Sequence, residues 1–169
     1  VNDLASQSAI HGLLAWRDWQ ISQQSAAEAS LMIFLPPSYG YPFSLLVEVI
    51  YRLDAIGGLH VSISTLNIGD QPAPYGSGAH PYLTCDFEQI DSCTLTLPAD
   101  EVLSIDTQEL HRVEHTELNF TTPRPIAATQ IDHTFKTTAP DDEWEVRMFS
   151  AAKKMTTYLR CDQPWLQVY

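Results

Sequence analysis

The stretch "LVEVIYRLDAIGGLHVSISTL", residues 46–66, decides the fold. Its first half, Leu46 to Leu53, puts Val47, Val49, Tyr51 and Leu53 on one face at period two, the repeat of a β-strand. The second half, Leu59 to Leu66, sets Leu59, Val61 and Ile63 against His60, Ser62 and Ser64 in the same way. Between them, Asp54-Ala55-Ile56-Gly57-Gly58 carries paired glycines, a hairpin signal. Two amphipathic strands and a tight turn predict an antiparallel pair with one face toward a core.

Working outward, the same pattern recurs. "SLMIFL" (Ser30 to Leu35) reads as a buried strand, and "PPSYGYP" after it as a loop. "CTLTLP" and "EVLSID" read as two short strands broken by Pro98-Ala99-Asp100. "EWEVRMF" alternates Trp144, Val146 and Met148 against Glu145, Arg147 and Phe149. "MTTYLR" and "WLQVY" close the chain. About eight short strands separated by turn-forming residues predict an all-β fold, an antiparallel β-sandwich, without internal repeats or flexible linkers.

Composition narrows the function. The 169 residues are 44% hydrophobic, enough for one domain with a core, and carry a net charge of −12. Only nine Lys and Arg are present, which argues against nucleic acid, because phosphate contacts need clustered cations. No apolar run approaches a membrane span, and "VNDLASQSAI" lacks the basic start and apolar stretch of a signal peptide. Three cysteines without a C-x-x-C pair suggest reduced thiols and a cytoplasmic protein. The chain begins at Val1 without methionine and stops on the apolar run "PWLQVY"; this predicts a longer polypeptide, with the fold incomplete at both ends.

One segment suggests a metal. Asp106 to His115 could start a helix, with Asp106 as N-cap and Glu109 three residues on. Within it, His111-Arg112-Val113-Glu114-His115 fits the H-x-x-E-H pattern of inverted zinc proteases, whose two histidines would share a helix face. The segment is short, Thr116 and the run to Pro123 end it quickly, and no apolar stripe would bury such a helix. A solvated loop or single turn is the better reading, with no metal.

Two histidines stand in constrained settings. His80 lies in "GSGAHPYL", where Pro81 pushes the residue before it toward an extended conformation and the glycines offer backbone freedom. His11 precedes Gly12 in "AIHGL". Asp132 lies in "QIDHTF" between apolar neighbours. Each alone has a structural explanation, a turn histidine or a strand cap. Together and in order, "AIHGL", "NIGDQPAPYGSGAHPYL", "LPADEVLSID", "IDHTF" and "PWLQVY" resemble the aldose 1-epimerase (galactose mutarotase) family, over essentially the whole chain. Leu83 stands where that family often has Phe, and "LHRVEH" replaces its usual Pro-Thr-Gly turn.

The resemblance implies a single epimerase-like domain over residues 1–169, a supersandwich of the galactose mutarotase type. It implies an isomerase that interconverts the α and β anomers of a free hexose, glucose- or galactose-like, without a cofactor. His80 is implied as the general acid at the ring oxygen and His11 as the second active-site histidine. Asp132 and Gln167 are implied as sugar-binding residues. The family's general-base glutamate falls downstream of the Gln167-Val168-Tyr169 strand, and its Asn-Arg segment falls upstream of His11-Gly12. The 169 residues alone are therefore expected to be inactive and poorly soluble. A hexose-6-phosphate epimerase would need clustered cations, whereas Arg17, Arg52, Arg112, Arg124, Arg147 and Arg160 are scattered. A non-catalytic sugar-binding sandwich is the alternative from another class. A glycoside hydrolase would need a second carboxylate paired with Asp132. The particular sugar and the oligomeric state stay open.

Overall fold

The structure, a computed structural model, describes residues 11–104, 106–138 and 143–169. Residues 1–10, on which the absence of a signal-peptide pattern was read, lie outside the described residues. The chain forms two compact units, Val1–Gly78 and Ala79–Tyr169. The described part is all-β, with twelve strands in three antiparallel sheets and one short 3₁₀ turn, Ile90–Ser92.

The first unit is a four-stranded meander, β1 (Gln20–Gln24), β2 (Glu28–Leu35), β3 (Leu45–Asp54) and β4 (Gly58–Asn67), in sheet order β1-β2-β3-β4. The expected hairpin is present, with Leu53 opposite Leu59, Tyr51 opposite Val61 and Val49 opposite Ile63. Its turn is held by the Asp54 side chain, whose Oδ1 accepts from the backbone N–H groups of Ile56 (2.8 Å) and Gly57 (2.5 Å). Those two bonds are the main reason the Asp54 carboxyl sits below the usual carboxylate range. Gly58 supplies the left-handed residue the turn needs, at φ 77°.

Burial departs from the sequence expectation along this hairpin. Val47 is buried and Val49 half-buried, but Tyr51 and Leu53 are exposed, as are Leu59, Val61 and Ile63 across from them. Ser30 to Leu35 is likewise a strand, yet Leu31 and Met32 are half-buried and Phe34 exposed. Among the described residues, the unit contains one sheet. Its core of Ile33, Leu35, Leu45 and Val47, with Leu14, Trp19, Tyr41 and Ala73 against it, covers only one end of that sheet. Alternation reports which residues share a face; whether a second layer lies over that face depends on the rest of the fold.

The second unit is a two-sheet sandwich. One sheet has the order β11-β10-β5-β8, from β5 (Thr94–Thr96), β8 (Arg124–Pro125), β10 (Trp144–Ser150) and β11 (Met155–Cys161). The other has the order β12-β9-β6-β7, from β6 (Ala99–Leu103), β7 (Leu110–Arg112), β9 (His133–Thr137) and β12 (Trp165–Val168). Leu95, Trp144, Val146 and Met148 from the first sheet share one buried cluster with Ala99, Phe135 and Leu166 from the second. Val113, Phe120 and Ile126 on the connections complete it. Inward residues alternate with outward ones along β10, as its sequence predicts. Burial of such side chains at roughly 25 cal/mol per Å² of apolar surface is what holds the two sheets together.

Two local expectations change. Only Leu97 and Pro98 separate β5 from β6, because Ala99 and Asp100 already belong to β6. The H-x-x-E-H stretch is neither helix nor simple loop. Leu110–Arg112 form edge strand β7, with His111 opposite Val102, and His115 lies in the following turn at φ 67°. The two histidines therefore never share a helix face. Leu110 finds a partner in Leu103 across the ladder, and this pairing outweighs a short helix that had no apolar stripe to bury.

On the outer side of β10, Glu145 accepts hydrogen bonds from Arg147 and from Arg160 Nε (2.7 Å for the latter). Those bonds, Arg147 first, hold its carboxyl below the usual range. A depressed carboxyl contributes stability that is present above its unfolded pKa and lost as pH falls through its folded one. Glu145→Gln is expected to lower stability near neutral pH by less than about 1 kcal/mol, since exposed ion pairs contribute little. The gap between variant and parent should close in acid, which urea unfolding at pH 7 and at pH 3 would read. An equal gap at both pH values would show that the charge is not what the site contributes.

Candidate functional site

Asp132 immediately precedes β9, and Gln167 lies on its neighbour β12. The ladder pairs Gln167 with Thr134 and Leu166 with Phe135. Phe135 and Leu166 point into the core, so Thr134 and Gln167 point outward together. That register brings two of the four candidate residues into contact: Gln167 Nε2 donates to Asp132 Oδ1 at 3.0 Å. Thr134 Oγ1 in turn donates to Gln167 Oε1. Behind them, the backbone N–H of Asp132 donates to Nδ1 of His133 at 3.1 Å. Asp132 and Gln167 are both exposed and present polar atoms to solvent from a rigid sheet face.

His80 is exposed on an irregular segment between β4 and the 3₁₀ turn. Upstream, within the first unit, Asn67 fastens this segment. Its Oδ1 accepts from Gly69 N (3.0 Å) and its Nδ2 donates to the Gln71 carbonyl (2.8 Å). Tyr75 Oη lies 2.7 Å from Thr65 Oγ1, and Tyr41 donates to the Pro74 carbonyl. Downstream, within the second unit, Leu83 packs on the core, Thr157 donates to the Thr84 carbonyl (2.6 Å) and Cys85 is fully buried. The His80 ring stands edge-on to Tyr82, centroids 6.0 Å apart.

Backbone freedom at Gly76 and Gly78 is not what shapes this segment. Both have φ outside the left-handed region, and a Cβ on either would meet open space. The anchoring bonds on either side and Pro81 do that work. His11 belongs to the first unit, where it and Gly12 both occupy the left-handed region, at φ 65° and 59°. A non-glycine residue there is uncommon and draws attention to that turn.

Most of the cations are already engaged with acids. Arg112 pairs with Asp100 and lies 3.8 Å from Glu101, Lys136 lies 3.9 Å from Glu101, and Lys153 is 3.2 Å from Asp86. Arg124 stacks over the Phe120 ring at 4.4 Å. Among the described residues, no group of three His, Cys, Asp or Glu side chains is arranged to hold a metal ion, and no helix is long and apolar enough to cross a membrane.

The chain belongs to the aldose 1-epimerase family: the aldose 1-epimerase model matches residues 1–169. A relative named "Uncharacterized protein YihR", from Escherichia coli (strain K12), is 49% identical over 173 residues, which cover 100% of this chain and 56% of the relative. The chain thus spans about half the length of that relative. No solved structure matches it.

Thr134 is the residue that sequence reading missed. Its position two residues after Asp132 places it on the outward face, but only the β9–β12 register shows that it meets Gln167.

Proposed function

We propose that the natural polypeptide containing this chain is an aldose 1-epimerase that interconverts the α and β anomers of a free hexose of the glucose or galactose type. Family membership over residues 1–169 carries this reading. The Asp132–Gln167 contact supports it, because an acceptor and a donor side by side suit neighbouring sugar hydroxyls.

The reaction couples two proton transfers to reversible opening of the ring, with no redox step. A base removes the proton from the anomeric hydroxyl while His80 protonates the ring oxygen. The C1–O5 bond breaks, its electron pair stays on O5, and C1 becomes an aldehyde. Rotation about C1–C2 exposes the other face, and ring closure reverses both transfers. A histidine suits the acid because its ordinary pKa lies near working pH. Family resemblance assigns His11 a hydrogen bond to the sugar near the ring oxygen, and Asp132 and Gln167 contacts to sugar hydroxyls. Family resemblance assigns the base to a glutamate downstream of the β12 strand. The three free thiols Cys85, Cys93 and Cys161 fit a reducing, cytoplasmic compartment.

A sugar phosphate is less well suited, because Arg112, Lys136, Arg147, Lys153 and Arg160 already face carboxylates. Freshly dissolved α-D-glucose or α-D-galactose, followed by polarimetry with the full-length polypeptide in EDTA, tests the reading. Faster decay of rotation than in buffer is expected, and chelation leaves it unchanged because no step needs a metal. Decay at the buffer rate with both sugars would count against it. Activity lost in EDTA and restored by zinc would reverse the metal-free chemistry.

A further inference from the structure

We propose that Thr134 is a positioning residue that holds the Gln167 amide in the orientation that Asp132 selects, and so keeps the Asp132–Gln167 pair in place for a sugar. This inference rests on the proposed reading of Asp132 and Gln167 as sugar-holding residues. A glutamine amide has two orientations related by a flip about its terminal torsion, which is soft and nearly two-fold. Only one of them suits this site. Ionised Asp132 accepts hydrogen bonds and donates none, so Gln167 must turn Nε2 toward Oδ1. Its Oε1 then points toward Thr134 and needs a donor. The Thr134 hydroxyl, which can donate or accept, donates.

Position makes the device rigid. Thr134 and Gln167 are direct cross-strand partners in the β9–β12 ladder. Thr134 is flanked by Phe135, which is fully buried, so its backbone is tied to the core. A β-branched side chain on a strand has restricted χ1, which holds the hydroxyl in place. The result is an ordered chain, Thr134 to Gln167 to Asp132. It leaves the second N–H of Gln167 as donor and the other oxygen of Asp132 as acceptor toward a sugar. Flipping the amide would turn its carbonyl toward the carboxylate and remove the donor. Thr134 touches neither reacting atom nor proton; it acts through Gln167.

Thr134→Val removes the hydroxyl while keeping the shape and β-branching, and Thr134→Ser restores it. In the full-length polypeptide, Thr134→Val is expected to raise KM for the hexose by about three- to tenfold with kcat within about twofold, because it weakens ground-state and transition-state binding alike. Thr134→Ser should recover most of that loss. A second readout needs no sugar: the Gln167 side-chain amide signals in ¹⁵N–¹H spectra should move toward those of a free glutamine in Thr134→Val and stay near wild type in Thr134→Ser. Wild-type KM and unmoved amide signals in Thr134→Val would overturn the proposal. So would a serine variant no better than the valine one. If the wild-type protein turns over no aldose, the functional reading fails, and the amide signals alone still decide whether Thr134 orients Gln167.

Discussion

Replacing His80 with alanine in the full-length polypeptide is expected to lower anomer interconversion by about 10²–10⁴-fold, the usual cost of losing a positioned acid. The fold should not notice. His80 is exposed, and the segment that carries it is fastened by other residues: Asn67 and Tyr75 upstream, Leu83, Thr84 and Cys85 downstream. Each of those anchors uses atoms other than the imidazole. Circular dichroism and the unfolding midpoint should therefore match the parent while polarimetry shows the loss. Parental turnover in the variant would remove His80 from the acid role and leave Pro81 and its neighbours as a purely structural turn.

Phe135→Ala should have the largest effect on stability, about 3–5 kcal/mol, typical of deleting a fully enclosed aromatic ring. Phe135 is 0% exposed at the centre of β9. It is paired on one side with Leu166 and on the other with Val102, so its ring joins three strands of one sheet to the core shared with the other. Urea unfolding of parent and variant measures the loss. A difference below about 1 kcal/mol would mean that the two sheets do not depend on this ring.

The contrast between Phe135 and Thr134 shows what the sequence could reveal. Alternation assigned inward and outward faces correctly on β10, and the paired glycines located the β3–β4 turn. These are local signals, set by a two-residue period and by turn chemistry. The candidate residues themselves were legible for a different reason: His80, His11, Asp132 and Gln167 sit in motifs that resemble a known family. What they touch was not legible. The Asp132–Gln167 bond joins residues 35 apart in the chain, and Thr134 meets Gln167 across 33, through a register that no local pattern encodes. The same non-local dependence explains β7. Leu110 to Arg112 has weak strand character alone and becomes a strand because β6 offers an edge. It also explains the exposed half of the first hairpin, where Tyr51, Leu53, Leu59 and Val61 alternate as a buried strand would while the described residues of their unit supply no second sheet.

Catalysis and mere sugar binding differ in one observable, the rate at which anomers exchange at equilibrium. Exchange spectroscopy on the anomeric protons of glucose or galactose, with and without the full-length polypeptide, measures that rate directly. Exchange cross-peaks that appear only with the protein, and vanish with His80→Ala, are the predicted result. Broadened anomeric signals without exchange would show a protein that holds the sugar and leaves its ring closed, and would contradict the epimerase reading.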